Sequence, residues 1–235
     1  MSLILQSSLP QAHAGDPRLP GTMPCDPYAW LHVDDAYAAQ MSLRAQLIGT
    51  RKDAVLYEPE SVRVAGQEVL DAALGILPDL GFDLSDDAVI CPDGRPVHID
   101  RDAPLHTLGH LVQEDICILQ KQGAEHVLTG AVLCFPANWR LAEKINRPLT
   151  CIHDPVDEYD DNIARRVQRL FDGVRVGRPL WRFNKLSYTD PDLHQPRKRA
   201  ATDDMPFIRS ERQCILRLPR TDAVIFAIHT YIVRG

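Results

Sequence analysis

The sequence predicts an α+β protein in which flanking helices pack on a largely antiparallel sheet, with a helical N-terminal part. Two observations carry this prediction. Segments with apolar residues at helical spacing lie mainly in the first third of the chain and recur once after residue 158. Stretches rich in β-branched and apolar residues, bounded by turn residues, dominate from residue 88 onward, above all near the carboxyl end.

Four segments are predicted to be helical: residues 35–50, 60–77, a short helix from 104, and 159–174. Asp34 or Asp35 can cap the first, and Pro78 ends the second. The last has acidic residues in its first turn and Gly173 near its end.

The predicted strands are residues 88–91, 97–99, 116–119, 127–135, 180–188, 208–218 and 223–233. Turn residues 92–96 and 219–222 favour hairpins between the strands that flank them. Residues 189–206 are polar and rich in proline, which is typical of a loop.

Composition limits the classes of function. The 235 residues carry a net charge of −6, and they contain no basic cluster denser than residues 197–199, so we expect no nucleic-acid partner. Six cysteines without a C-x-x-C pair argue against a zinc or iron–sulfur site and fit a reducing compartment. No apolar run approaches the length of a transmembrane helix or an export signal. We expect a cytoplasmic protein with a flexible tail over residues 1–24 and a single domain over residues 25–235.

Three polar residues suggest a local metal site. His106, His110 and Glu114 follow one another at intervals of four, so on one helix they would share a face and could present donors to a metal. A solvated helix face would give the same spacing.

A histidine near the middle of the chain is a second candidate for metal binding. His153 lies between Pro148 and Pro155 with apolar neighbours, where an extended and rigid connection is expected. Such an imidazole suits an axial haem ligand, because its second nitrogen can bond a carbonyl or carboxylate. A core histidine bonded to backbone is the alternative.

Three arginines on predicted strands need anionic partners if they are buried. For Arg182, Arg209 and Arg212 these could be haem propionates, a substrate carboxylate or an internal acidic residue, and the internal ion pair is the default. The chain has no G-x-G-x-x-G turn, P-loop or G-x-S-x-G elbow, so dinucleotide, nucleotide and serine-hydrolase functions lack their usual support.

Several segments in a fixed order resemble one protein family. They are residues 30–37 (WLHVDDAY), 111–117 (LVQEDIC), 132–139 (VLCFPANW) with 143–144, 148–156 (PLTCIHDPV), and 208–213 (IRSERQ) with 216–220. This set resembles the α subunit of haem-dependent oxidative N-demethylases, and it covers the chain from about residue 27 to the end.

The resemblance implies a PAS-like sheet that binds haem b and uses O₂ to oxidise an N-methyl group of a small secondary amine, such as dimethylamine, to formaldehyde. Electrons would come from NADPH through separate subunits that hold FMN and a [2Fe–2S] cluster. The resemblance makes His153 the preferred iron ligand. It also implies that Glu114 and Asp115 hold the protonated amine or deliver protons, although either could instead cap backbone groups.

Two departures from the family pattern keep alternatives open. Lys185 follows Asn184 where relatives show R-x-N-W, and His229 stands where an arginine is expected in the last strand. His229, like His106 and His110, therefore competes with His153 as the axial ligand. A haem-binding PAS-like sensor and a haem-free small-molecule-binding member are the other functions considered.

Overall fold

The structure, a computed structural model, describes residues 3–13, 15, 21–152, 161–198 and 204–235, with only the backbone for 161–165. It contains a seven-stranded sheet, a small three-stranded sheet and seven α-helices within these ranges. The predicted α+β class is therefore confirmed.

The large sheet is antiparallel throughout, with the strand order β1-β8-β9-β10-β6-β7-β2. Its strands are β1 (Met23–Pro24), β2 (Leu56–Tyr57), β6 (Asp115–Gln122), β7 (Glu125–Val132), β8 (Leu180–Tyr188), β9 (Phe207–Arg217) and β10 (Val224–Arg234). The small sheet consists of β3 (Asp83–Leu84), β4 (Ala88–Ile90) and β5 (Pro96–His98). The hairpins predicted around residues 92–96 and 219–222 are both present.

The helices lie where helical spacing predicted them, together with three additional short ones. They are α1 (Tyr37–Thr50), α2 (Lys52–Val55), α3 (Arg63–Leu74), α4 (Pro104–Leu111), α5 (Leu141–Lys144), α6 (Leu149–Ile152) and α7 (Asp161–Gly173). Single 3₁₀ turns cover Gln11–His13, Glu60–Val62 and Leu77–Leu80. No helix among the described residues is both long and apolar enough to cross a membrane.

The two faces of the large sheet carry separate apolar cores, because successive side chains of a strand point to opposite faces. On one face, Ile118 and Ile225 belong to a core shared with α1, α3 and α4, and we call this the α1 face. On the other, Cys117 and Ile215 pack with Phe171 of α7, and we call this the α7 face. The two faces can therefore hold two chemically different sites.

A glycine allows α4 to approach the sheet closely. A Cβ at Gly109 would lie 2.7 Å from Ile48 Cδ1 and 2.8 Å from Val132 Cγ2. Because real Cβ atoms do not approach other atoms so closely, only glycine lets α1, α4 and β7 meet at this point.

In the part of the N-terminal segment that the structure describes, residues 3–13 include side chains that contact the large sheet. Gln6 is buried, accepts a hydrogen bond from the Ile232 amide at 2.7 Å and donates to the Thr230 carbonyl at 3.2 Å. His13 is also buried, and β1 pairs with β8. Gln6 thus bonds to strand β10, while His13 Nδ1 lies 2.9 Å from the Ser210 hydroxyl of strand β9.

Candidate functional site

A row of polar side chains crosses the α7 face where β8 and β9 pair. Arg182 lies opposite Gln213, and Asn184 lies opposite Glu211. Arg182 donates to Gln213 Oε1 at 3.1 Å, while its Nε atom is buried without a partner. Burial lowers the pKa of Arg182, although the charge of Glu211 opposes this effect. An arginine with a neutral partner and a spare donor is suited to bind an anion.

Both carboxylate oxygens of Glu211, in the same row, already accept hydrogen bonds. Glu211 accepts hydrogen bonds from Asn184 at 2.9 Å and Gln213 at 3.1 Å, and it forms an ion pair with Arg209 at 3.2 Å. Arg209 also donates to the Phe135 carbonyl at 2.5 Å. Arg209 thus forms the internal ion pair expected by default and ties β9 to the segment after β7.

Apolar side chains of β10 share this face of the sheet with Arg182. Ile228 pairs with Gln213, and Phe226 pairs with Ile215, so both lie on the face of Arg182, two strands away from it across β9. Thr230 follows on this face, and its hydroxyl is buried without a hydrogen-bond partner. The α7 face therefore combines an apolar wall with two polar groups whose hydrogen bonding is incomplete.

These residues fit a haem group. A porphyrin needs an apolar wall, and its propionates need a cationic donor such as a guanidinium. Phe226 and Ile228 would provide the first, and the unpartnered Nε atom of Arg182 would provide the second.

The preferred iron ligand, His153, lies outside the described residues. The residue before it, Ile152, ends α6 and packs against the core of the α7 face.

A buried cluster of a different kind lies on the α1 face around His229. Its Nδ1 atom is 2.9 Å from Glu114 Oε1, and its Nε2 atom is 3.0 Å from Asp34 Oδ2. The His32 amide donates to the same Glu114 oxygen at 2.7 Å, and His32 Nδ1 is 2.9 Å from the Tyr231 hydroxyl. Both ring nitrogens of His229 are engaged, which leaves neither for a metal.

The charges within this cluster stabilise one another. Burial alone would lower the pKa of His229, but the carboxylates of Glu114 and Asp34 raise this pKa to about 9. Against the opposing effect of burial, hydrogen bonds from His229, Gln113 and Gln6 lower the pKa of Asp34 to about 2. Burial by itself would raise the pKa of Glu114, but the charge of His229 and its hydrogen bond have the larger effect. The pKa of Glu114 is therefore lowered. Near neutral pH the cluster is an imidazolium held between two carboxylates.

Asp115 also serves an internal role. It forms a buried ion pair with Arg44 at 2.6 Å and accepts hydrogen bonds from the amides of Cys134 and Phe135 at 2.7 and 2.8 Å. Both carboxylates thus bond to groups of the fold, although the Oε2 atom of Glu114 is buried without a hydrogen-bond partner.

Arg212 points to the α1 face, opposite Arg182. It donates to the carbonyls of Ala29 at 2.7 Å and Trp30 at 3.3 Å, and its guanidinium lies 5.3 Å from the centre of a Trp181 ring. Among the described residues it forms no ion pair, so the default expectation does not hold for it.

The proposed three-residue metal site on one helix is wrong. His106 and His110 lie on α4 with ring centres 4.7 Å apart, but α4 ends at Leu111 and Glu114 turns toward His229. Within the ranges that the structure describes, no group of three or more histidine, cysteine or acidic residues could hold a metal ion.

The predicted site residues therefore form two sets. Arg182 and Arg209 lie on the α7 face, whereas Glu114 and Arg212 face α1. Sequence reasoning gave His229 a different role, although a polar residue within an apolar strand was a signal that it needs buried partners. Thr230 and Glu211 carried no such signal.

The fold and the α7 face together describe an α+β protein with a sheet face suited to an apolar and anionic ligand. The family model described as "Haem-dependent oxidative N-demethylase, alpha subunit-like" matches residues 21–234. The chain belongs to this family, which confirms the resemblance drawn from its motifs. The family name also implies dependence on haem and the existence of partner subunits.

Proposed function

We propose that this chain is a haem b-binding oxygenating subunit with a PAS-like sheet that N-demethylates a small secondary amine with O₂. The observation that carries the proposal is the α7 face, where Phe226 and Ile228 share one side of the sheet with the unpartnered Nε atom of Arg182. A family named for haem dependence matches nearly the whole chain, which supports the same function.

Each group of the proposed site has a separate task. His153 binds the iron, and Arg182 pairs with a propionate. Phe226 and Ile228 cover the porphyrin and exclude water from the reacting centre. Glu114 and Asp115 act at a distance, because at the start of β6 they hold His229 of β10 and Arg44 of α1 in place.

The cofactor supplies the oxidative chemistry. Bound haem would activate O₂ for oxidation of the N-methyl group, which leaves as formaldehyde and gives the primary amine. The electrons would come from cytoplasmic partner subunits that carry FMN and a [2Fe–2S] cluster, and the protein would bind and orient the amine.

The test is a haem titration of the purified protein followed by its Soret absorbance, with dimethylamine then added to the ferric form. We expect a saturable Soret band that shifts with amine. His153→Ala should abolish or radically alter the band, whereas His98→Ala, which removes an exposed histidine of β5, should keep it. A band without any amine response would instead indicate a sensor, and a protein that stays colourless would indicate a haem-free member.

A further inference from the structure

A pocket of about 270 Å³ opens on the α1 face beside the N-terminal segment. Its polar lining consists of His13, Cys25, Asp26, His32 and Arg212, next to the indole of Trp181. The sheet separates this pocket from the α7 face, and the proposed haem function makes no use of it.

Arg212 joins two cysteines at this pocket. Its Nη1 atom is 2.8 Å from Cys214 Sγ, and its Nη2 atom is 3.4 Å from Cys25 Sγ. Its remaining bonds go to backbone carbonyls, and it is only 6% exposed. A buried guanidinium is costly without a negative partner, and a thiolate is the group in contact that can supply the charge.

The environment of Cys25 favours that thiolate. The hydrogen bond from Cys214 and the charge of Arg212 lower the pKa of Cys25 to about 7, against the opposing effects of burial and Asp26. Burial, together with Arg212, lowers the pKa values of His13 and His32 to about 4. Both imidazoles are therefore neutral at pH 7 and add no further positive charge.

The other cysteines lack this combination of contacts. Burial raises the pKa values of Cys91, Cys117 and Cys134, and Cys214 is fully buried. Cys151 is exposed and provides an internal comparison for any thiol reagent.

We propose that Cys25 is a modification site, a thiolate held by Arg212 that reacts with hydrogen peroxide entering this pocket. The thiolate sulfur attacks one peroxide oxygen, so an S–O bond forms as the O–O bond breaks. The sulfur loses two electrons to peroxide, hydroxide leaves, and Cys25 becomes a sulfenic acid.

The first experiment treats the folded full-length protein with hydrogen peroxide, traps sulfenic acid with dimedone and locates the adduct by mass spectrometry. We expect the adduct on Cys25 at pH 7, and none at that position in Cys25→Ser. An adduct confined to Cys151, or none at all, would overturn the proposal. Neither result bears on the haem function, because that function is read from the Soret band.

A second experiment tests the role of the surrounding charges with iodoacetamide. The alkylation rate of Cys25 should reach half its maximum near pH 7. Asp26→Asn removes a charge that opposes the thiolate, so the midpoint should move to lower pH. Arg212→Met should move it to higher pH and slow alkylation at pH 7 by about fivefold.

Far-UV circular dichroism shows whether Arg212→Met folds. If it does not, Asp26→Asn still tests the proposal, because Asp26 is exposed and its replacement should not disturb folding. A midpoint that Asp26→Asn leaves unchanged would contradict the proposal.

Discussion

Arg182 and Arg212 show how the same residue type acquires different chemistry from its surroundings. Neither forms an ion pair among the described residues, but Arg212 bonds to carbonyls and two sulfurs, while the Nε atom of Arg182 has no partner. The guanidinium that still lacks a partner is therefore the better candidate for binding an external anion.

Replacement of Arg182 by methionine should weaken haem binding by about tenfold or more, because a charge-assisted hydrogen bond contributes about 1.5–3 kcal/mol. The dissociation constant is measured by Soret titration. Lys185→Met removes a cation from the same strand, on the opposite face, and should leave the constant unchanged. Equal effects of the two substitutions would show that the α7 face does not hold the propionates.

His229 should make the stability of the protein fall at alkaline pH. Its pKa is raised from about 6.5 to about 9 in the folded state, so its contribution is complete below pH 6.5 and is lost as the pH rises through 9. The free energy of unfolding should fall by about 3 kcal/mol over this window, as measured by urea denaturation.

Asp34→Asn is the matched variant for this test. It removes one of the two carboxylates, so the pKa of His229 moves back toward its ordinary value and the alkaline loss of stability becomes smaller. A variant that loses as much stability as the parent between pH 6.5 and 9 would show that other groups cause the decline.

Among the secondary structure elements, α4 depends most directly on a single missing side chain. It packs between α1 and β7 at Gly109, where two side chains lie within 3 Å of the position that a Cβ would occupy. The spacing of apolar residues predicts the helix, but the close contact at Gly109 determines how near α4 lies to the sheet.

Gly109→Ala should destabilise the protein by about 1–3 kcal/mol, because the added methyl group overpacks a dense core. Gly49→Ala provides the comparison, since Gly49 is helical and a Cβ there would meet nothing within 4 Å. That substitution should be neutral or stabilising by up to about 1 kcal/mol. Thermal or urea unfolding of both variants distinguishes local crowding from helix propensity.

In the molecule as a whole, the N-terminal segment around Gln6 binds to the carboxyl-terminal half of strand β10. Gln6 bonds to the backbone of β10 and donates to Asp34 Oδ2 at 2.8 Å. The N-terminal segment thus contacts both the last strand and the cluster around His229.

Gln6→Ala should therefore destabilise the whole domain by about 1–3 kcal/mol, because it leaves the buried Ile232 amide of β10 without its side-chain acceptor. Gln11→Ala, at an exposed position of the same segment, should have little effect. Equal unfolding midpoints for the two variants would restore the view that this segment is a loose tail.

The helices and strands were predictable because their patterns are local. Apolar residues at helical spacing gave α1 and α7, and turn residues gave the β9–β10 hairpin, since each signal spans fewer than about thirty residues. The family could also be inferred from short motifs, and the match over residues 21–234 confirms it.

The arrangement of the site could not be predicted in this way. Glu114 meets His229 across 115 positions, and Gln6 meets Ile232 across 226, so neither contact leaves a local pattern. Strand register decides which face each arginine reaches, and a shift of one residue would exchange the faces. The residue types followed from local chemistry, whereas their partners and their charges depend on long-range pairing and burial in the folded chain.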